Sequence, residues 1–192
     1  MPGREYPSAG LVQATDGNLY GTAAGGGAFG QGCVNDIPGC GTIFAIGPDG
    51  GNLTVLHTFC PQAVLYQCAD GFDPVAGLFQ DTDGNLYGTT LQGGGTPHIA
   101  VGVGTIFSLS VGLGPFVEPQ TTSGTVGATV KILGTNLIGA ISVTFNGTAA
   151  VFTVVSASEI TTTVPAGATS GPVEVVTPGG TLSSNVVFQV LP

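Results

Sequence analysis

A seven-residue segment occurs twice in this chain, and this repetition constrains the fold more than any other feature. Asp16-Gly17-Asn18-Leu19-Tyr20-Gly21-Thr22 returns as Asp83-Gly84-Asn85-Leu86-Tyr87-Gly88-Thr89. Later in each copy, Gly41-Thr42-Ile43-Phe44 is matched by Gly104-Thr105-Ile106-Phe107. Turn and strand segments that recur in the same order predict copies of one β-sheet unit, stacked so that each buries the apolar face of its neighbour.

The first copy has the pattern of two consecutive hairpins. Strands are predicted over residues 11–14, 19–23, 41–46 and 53–59, with Asp-Gly turns after the first and third. Asp-Gly between strands favours a hairpin, because glycine adopts the positive φ that tight turns need. Two hairpins predict a four-stranded antiparallel sheet, like one blade of a β-propeller.

The second copy begins like the first but lacks its ending. After the predicted strand at residues 104–110, no Asp-Gly turn and no fourth strand follow. Propellers typically contain four to eight blades, and this chain supplies two. We therefore expect the chain to be the C-terminal part of a longer protein; assembly of several copies is the alternative.

A second domain is predicted from about residue 117, where Thr and Val dominate and Cys and Asp are absent. Apolar residues alternate at Val126, Ala128, Val130 and Ile132. Further strands are predicted over residues 141–145, 149–155, 159–164, 173–177 and 186–190, with turns at Asn146-Gly147 and at Pro178-Gly179-Gly180. About seven short strands predict a β-sandwich of immunoglobulin type, so the whole chain is expected to be all-β.

Composition excludes some classes of partner. The net charge is −9, and Arg4 and Lys131 are the only basic residues. Phosphate binding requires clustered cations, so a nucleic-acid partner is not expected. No apolar run is long enough to span a membrane as a helix. Residues 1–5 lack the apolar core of a signal peptide, so we expect any export signal to lie in a preceding part, and this sequence shows no obvious anchor.

The four cysteines form two pairs in the sequence, Cys33 with Cys40 and Cys60 with Cys68. Four cysteines allow three connectivities, and we favour local disulfides because each closes a short loop without crossing the sheet. Disulfides would imply an oxidising compartment. A four-cysteine zinc site is the alternative. Zinc knuckles usually place two to four residues between paired cysteines, and here six and seven intervene.

Candidate metal and catalytic residues are few. A calcium loop has side chains with oxygen ligands at every second position, and this pattern occurs at Asp81, Asp83 and Asn85. The distal Glu of such a loop is missing. We favour a hairpin turn, in which Asp accepts backbone hydrogen bonds. His57 and His98 have no partner histidine at ligand spacing, and no Gly-x-Ser-x-Gly elbow is present. We predict no catalytic residue, no metal and no cofactor.

Two tyrosines occupy equivalent positions in the repeat, and each copy also contains a run of three glycines. Tyr20 and Tyr87 would pack one sheet against the next or, if exposed, stack on sugar rings; we favour packing. The runs at residues 25–27 and 93–95 lack the Gly-Lys-Ser/Thr ending of a phosphate loop. We expect them to allow close approach of backbones instead.

The second domain resembles an IPT/TIG domain. The resemblance rests on Gly124-Thr125-Val126-Gly127, on Val143-Thr144-Phe145-Asn146-Gly147 and on Val176-Thr177-Pro178-Gly179-Gly180. It covers residues 117–192 and implies an immunoglobulin-like fold, used in bacterial surface proteins and as a spacer in multidomain enzymes.

The repeats over residues 1–114 are similar to those of the GloVer group, the choice-of-anchor tandem-repeat proteins of bacteria. The similarity rests on Asp-Gly-Asn-Leu-Tyr-Gly-Thr and Gly-Thr-Ile-Phe in both copies. It implies an exported or surface-anchored protein with more than two repeats. The expected function is non-catalytic binding or display at the cell surface, for carbohydrate or protein ligands. There are two alternatives. The chain could assemble with copies of itself into a ring or filament, or it could be an accessory part of a carbohydrate-active enzyme.

Overall fold

The computed structural model describes residues 6–27, 39–61, 68–94 and 103–192. Within these ranges the chain is all-β, and it contains no helix that could cross a membrane. The chain divides into two compact units. The first comprises residues 1–81 and 85–111, and the second comprises residues 82–84 and 112–192.

The first copy of the repeat forms one antiparallel sheet of four strands, as its two hairpin signals predict. The strands are β1 (Val12–Gln13), β2 (Leu19–Ala23), β3 (Thr42–Ile46) and β4 (Thr54–Thr58), and they lie in the order of the sequence. Each pairs antiparallel with the next, and the register between β3 and β4 shifts after Ile43.

The second copy forms a sheet of three strands. They are β5 (Phe79–Gln80), β6 (Leu86–Thr89) and β7 (Ile106–Leu109), again in sequence order. Their pairing repeats the first sheet residue by residue. Within the described ranges no fourth strand lies beside β7, in agreement with the missing hairpin signal.

The core of the first unit contains aromatic residues from both copies and from the segment between them. Tyr20, Phe59 and Phe72 are buried, and Tyr87 is half-buried. Tyr20 therefore packs in the interior, as favoured from its place in the repeat. Burial of such large rings is a main source of hydrophobic stabilisation in a domain with short strands.

The second unit is a sandwich of two four-stranded sheets. One has the strand order β13-β14-β10-β8, the other β12-β11-β15-β16, and β9 pairs in parallel with β17. The strands are β8 (Val117–Pro119), β9 (Ser123–Thr125), β10 (Thr129–Gly134), β11 (Ser142–Phe145), β12 (Thr148–Ala150), β13 (Phe152–Val154), β14 (Glu159–Thr163), β15 (Val173–Thr177), β16 (Gly180–Ser183) and β17 (Gln189–Leu191). Both sheets contribute to one core, with Ile132 and Ile160 from the first sheet and Val143 and Phe145 from the second.

Three expectations for this unit were wrong in detail. Val126 does not continue the apolar face of β10; it lies in the turn before that strand and is 52% exposed. The strand expected over residues 149–155 is interrupted at Val151, which is 86% exposed and separates β12 from β13. The strand expected over residues 186–190 is shorter and lies at Gln189–Leu191. Strands β8, β9 and β16 were not predicted, and β16 contains a single large apolar residue, Leu182.

Candidate functional site

A cavity of about 260 Å³ lies in the first unit, beside β7. Its walls come from β3, from β4 and the residue after it, from the turn at Ala69 and Asp70, and from residues 105–109. All four residues of β7 line the cavity, although successive side chains on a strand point to opposite faces. The cavity therefore runs along the edge of β7 rather than over one face of its sheet.

His57 and Asp70 form the polar part of the wall. His57 Nε2 lies 3.2 Å from Asp70 Oδ2, and the two side chains are 36% and 37% exposed. The backbone N–H of Cys60 donates to both oxygens of the same carboxylate, at 3.2 and 3.1 Å. The carboxylate thus joins the end of β4 to the turn that follows Cys68, and one edge of the His57 ring is held in place.

Three rings form the apolar part of the wall. Phe59 is fully buried, and its ring meets His57 edge-on at a centroid distance of 4.8 Å. It also meets the ring of Phe107 at 5.2 Å, with an interplanar angle of 64°. Edge-to-face pairs of this kind are favourable arrangements of aromatic rings. The three rings connect β4 of the first sheet with β7 of the second.

Threonine hydroxyls hold the start of β7 in place. Thr105 Oγ1 donates to the carbonyl of Asp70 at 3.1 Å and lies 2.8 Å from Thr90 Oγ1. The backbone N–H of Thr105 donates to the same Thr90 oxygen at 2.9 Å. These bonds fix β7 relative to the turn that carries the Asp70 carboxylate, so the cavity has a rigid polar side.

A disulfide lies at the base of this region. Cys60 and Cys68 are joined, with their Cα atoms 5.0 Å apart, which is the pairing predicted from the sequence. Sulfurs joined in this way are not available as thiolate ligands, so these two cysteines do not hold zinc. The other predicted pairing involves Cys33, which lies outside the described residues, and Cys40, which is buried.

The repeated Asp-Gly-Asn segment is a hairpin turn in the first copy. Asp16 accepts hydrogen bonds from Asn18 N–H at 3.1 Å, from Asn18 Nδ2 at 2.7 Å and from the Tyr20 hydroxyl at 2.8 Å. Gly17 has a φ of 84°, the left-handed conformation that such a turn needs. The aspartate therefore acts as the acceptor that ties the turn to the following strand.

The pKa values of both partners are shifted. Partial burial opposes ionisation of Asp16, but the bonds from Tyr20 and Asn18 together outweigh it, so its pKa lies below the ordinary value of 3.8. Burial, and then the hydrogen bond to the Asp16 carboxylate, raises the pKa of Tyr20 above 10.0. Bonds that favour the charged carboxylate lower its pKa in this way.

The calcium candidate occupies the same kind of turn in the second copy. Asp81 N–H donates to the carbonyl of Asn85 at 3.0 Å, as Ala14 N–H does to that of Asn18 in the first copy. In the part of the chain that the structure describes, no group of three or more His, Cys, Asp or Glu residues could hold a metal ion. His98 lies outside the described residues.

The glycine runs lie against threonine side chains. A methyl group on Gly27 would lie 2.8 Å from Thr42 Cγ2, and one on Gly94 would lie 2.7 Å from Thr105 Cγ2. The equivalent threonines of the two copies thus take the space that a side chain would fill. The close approach of backbones expected of these runs is found at Gly93, where a methyl group would lie 2.5 Å from Gly71 Cα.

The sequence did not indicate that Asp70, Thr105 and Phe107 line a common cavity. Asp70 lies in a turn and Phe107 in a short strand, and nothing in their spacing relates them to His57. The Gly-Thr-Ile-Phe segment was recognised as part of the repeat, so the strand was predicted, but the cavity depends on the absence of a neighbour beside that strand.

Comparison with known families identifies the second unit. The match covers residues 116–190. These residues form an IPT/TIG domain. This match agrees with the resemblance seen in the sequence and with the sandwich of two four-stranded sheets.

Comparison with whole proteins gives little more. No curated protein matches the chain. A fungal alcohol oxidase of the AA5 family in complex with copper is similar with 13% identity and a TM-score of 0.32, over 98% of this chain and 42% of that one. SGBP-B from a xyloglucan utilization locus in Bacteroides uniformis is similar with 15% identity and a TM-score of 0.34, over 97% and 49%. The chain thus spans less than half of either structure, and at these TM-scores neither similarity establishes a shared fold.

Proposed function

We propose that this chain belongs to an exported, non-catalytic binding protein displayed at the cell surface, and that the cavity beside β7 is its ligand site. The observation that carries the proposal is the composition of the cavity wall. It combines the rings of Phe59 and Phe107 with polar groups that internal hydrogen bonds hold in place, at Asp70 and Thr105. Ligand pockets typically pair an apolar lining with a few fixed polar groups in this way.

The size of the cavity limits what it can take. Its volume of 260 Å³ is slightly below the range of about 300–1,000 Å³ that is common for small-molecule pockets. It would hold one sugar ring or a few side chains of a protein ligand. Carbohydrate and protein ligands therefore both remain candidates for the site.

The arrangement of His57 and Asp70 supports binding rather than catalysis. In a nucleophilic triad, one ring nitrogen of the histidine bonds the carboxylate and the other reaches the attacking hydroxyl. Here Nε2 faces Asp70. Among the described residues, no Ser or Thr hydroxyl makes a hydrogen bond with the His57 ring, although Thr105 and Ser108 line the same cavity.

The rest of the chain supports an exported display protein. The Cys60–Cys68 disulfide is typical of an oxidising compartment. The IPT/TIG domain would act as a spacer. The repeats would be propeller-like units of the GloVer type, completed by further repeats in a longer protein.

The proposal is tested by ligand screening with one altered residue. The whole chain is screened against soluble glycans and extracellular proteins, and each hit is titrated by calorimetry. His57→Ala removes a wall residue and is expected to weaken binding by about tenfold or more, as truncation of a central contact does. Thr54→Ala alters an exposed residue of the same strand outside the cavity and is expected to bind like the unaltered chain.

Other results would contradict the proposal in distinct ways. Equal affinity of the two variants would place the ligand elsewhere on the chain. Turnover of a glycan by the unaltered chain, lost in His57→Ala, would show that the site is catalytic.

Self-assembly is the second candidate, and the edge of β7 favours it. Ile106 on that strand is 82% exposed, and an unpaired strand edge can add a strand from another molecule. Light scattering over a concentration series separates the two candidates. A molar mass that rises with concentration supports assembly, and a constant monomer mass supports the binding role alone.

A further inference from the structure

We propose that the ligand of the cavity is an extended segment of a partner protein, which adds to β7 as the fourth strand of the second sheet. The proposal rests on the binding role given above and names the partner of that same site. It follows from the identical pairing of the two copies of the repeat, of which only one is complete within the described residues.

The first sheet shows what lies beside the third strand of a complete copy. There β4 pairs with β3, with His57 opposite Ile43 and Val55 opposite Phe44. The pairing of β2 with β3 is the same as that of β6 with β7. The space along β7 is therefore the one that β4 fills in the first sheet.

The backbone of β7 can accept a strand at this edge. Thr90 N–H donates to the carbonyl of Thr105 at 2.9 Å, so the carbonyl of Thr105, just before β7, points toward the strand of Thr90. The direction of the backbone groups alternates from one residue to the next along an antiparallel ladder. The N–H and C=O groups of Ile106 and Ser108 consequently point away from β6, toward the edge at which no strand lies within the described residues, and there they can pair with an added strand.

The cavity fits the side chains of such a strand. The rings of Phe107 and Phe59 touch each other in the cavity wall, so this face of β7 is directed toward the first sheet. A peptide residue opposite Phe107 would share that face, because directly paired residues lie on one side of a sheet. Val55 holds this position in the first sheet, so a β-branched apolar residue is expected there in the partner.

Charge favours a foreign partner over a second copy of this chain. The wall contains the Asp70 carboxylate, and the chain carries a net charge of −9 with two basic residues. A second copy would bring the same charge, and like charges disfavour association. A segment without acidic residues and with basic flanks complements the site.

The probe is a fluorescent peptide with the sequence of residues 53–59, flanked by lysines, titrated into the whole chain and followed by anisotropy. Saturable binding is expected. Ser108→Pro removes one outward N–H without affecting the hydrogen bonds to β6, so this variant should bind the peptide about tenfold more weakly. Ser108→Ala is the control, because it keeps the N–H and should change the affinity by less than about twofold. Equal binding by the two variants would overturn the proposal.

A second measurement leaves the protein unaltered, in case Ser108→Pro does not fold. One peptide is N-methylated at the amides that would face β7, and another at the alternate amides that would face solvent. The first should lose binding and the second should keep it. Equal affinity of the two peptides would show that no strand is added.

The outcomes separate this inference from the proposed function. If no peptide binds but another ligand loses affinity in His57→Ala, the cavity is a ligand site and the inference is wrong. If no ligand of any class responds to His57→Ala, the proposed function fails as well. If the peptide dissociates a dimer of the unaltered chain, the occupant is a second copy and the foreign partner is excluded.

Discussion

The ring of Phe44 lies against the backbone of Gly21 on the neighbouring strand. The two residues are directly paired between β2 and β3, and a methyl group on Gly21 would lie 2.8 Å from Phe44 Cζ. Gly88 and Phe107 stand in the same relation in the second copy. The glycine and the phenylalanine that recur in the repeat thus form one packing unit, in which the ring takes the space of the missing side chain.

Gly21→Ala should therefore destabilise the first unit. The added methyl group forces Phe44 or Leu11 to move, and overpacking of this kind costs about 1–3 kcal/mol. Gly10→Ala is the matched control, because a methyl group there meets nothing within 4 Å. Denaturant unfolding of the two variants checks the prediction, and equal midpoints would show that the contact with Phe44 contributes nothing.

Tyr20→Phe should lower stability through the turn of the first copy. The change removes the 2.8 Å hydrogen bond to Asp16, and a bond of this kind contributes about 1 kcal/mol. Because the pKa of Asp16 is lowered in the folded protein, the contribution is present above pH 3.8 and is lost as the pH falls through the folded value.

The difference in unfolding free energy between Tyr20→Phe and the unaltered chain should accordingly shrink on acidification. Denaturant unfolding at pH 7 and at a series of pH values below 3.8 measures it. Asp16→Asn is the control, because it removes the titrating group and should leave little pH dependence at this turn. A difference that grows at low pH would contradict the assignment.

Much of the fold could be predicted because it depends on local signals. Asp-Gly turns and the recurrence of one segment located the hairpins of both copies, and alternating apolar residues located most strands of the IPT/TIG domain. Val126 was misplaced because an apolar residue can continue a pattern into a turn. Strand β16 was missed because its pairing with β15 depends on the partner rather than on its own residues.

The candidate site could be predicted only in part, because it is assembled from separate segments. The Cys60–Cys68 pairing followed from loop length, and the missing fourth strand followed from the missing turn. The contact of His57 with Asp70 and of Phe59 with Phe107 depends on how the segments pack. No periodicity or spacing in the sequence carries that information.

Asp73→Asn should stabilise the first unit at neutral pH. Asp73 is buried, and burial raises the pKa of its carboxyl above 3.8. The folded chain then binds more protons than the unfolded chain above pH 3.8, so its stability falls as the pH rises through the raised pKa. Asparagine has no charge to bury, and it tolerates the φ of 60° at this position.

The test of this prediction is the pH dependence of unfolding. The unaltered chain should gain stability from Asp73 as the pH falls toward 3.8, and Asp73→Asn should lack that gain. Asp49→Asn, at an exposed turn, provides the control for loss of one negative charge. Identical pH profiles of the two variants would show that burial of Asp73 has no energetic effect.

Removal of the Cys60–Cys68 disulfide should affect both stability and ligand affinity. The bond closes a short loop, and loops of this size are stabilised by about 2.5 kcal/mol through the lower entropy of the unfolded chain. Cys60 N–H also donates to the Asp70 carboxylate, so the loosened loop no longer holds His57 and Asp70 in one geometry. The Cys60→Ala/Cys68→Ala double variant should therefore unfold at a lower denaturant concentration and bind the cavity ligand more weakly.

Treating the variant and the unaltered chain with reductant separates the effect of this disulfide from that of the remaining cysteines. If reductant lowers the affinity of both equally, the Cys60–Cys68 bond has no role at the cavity.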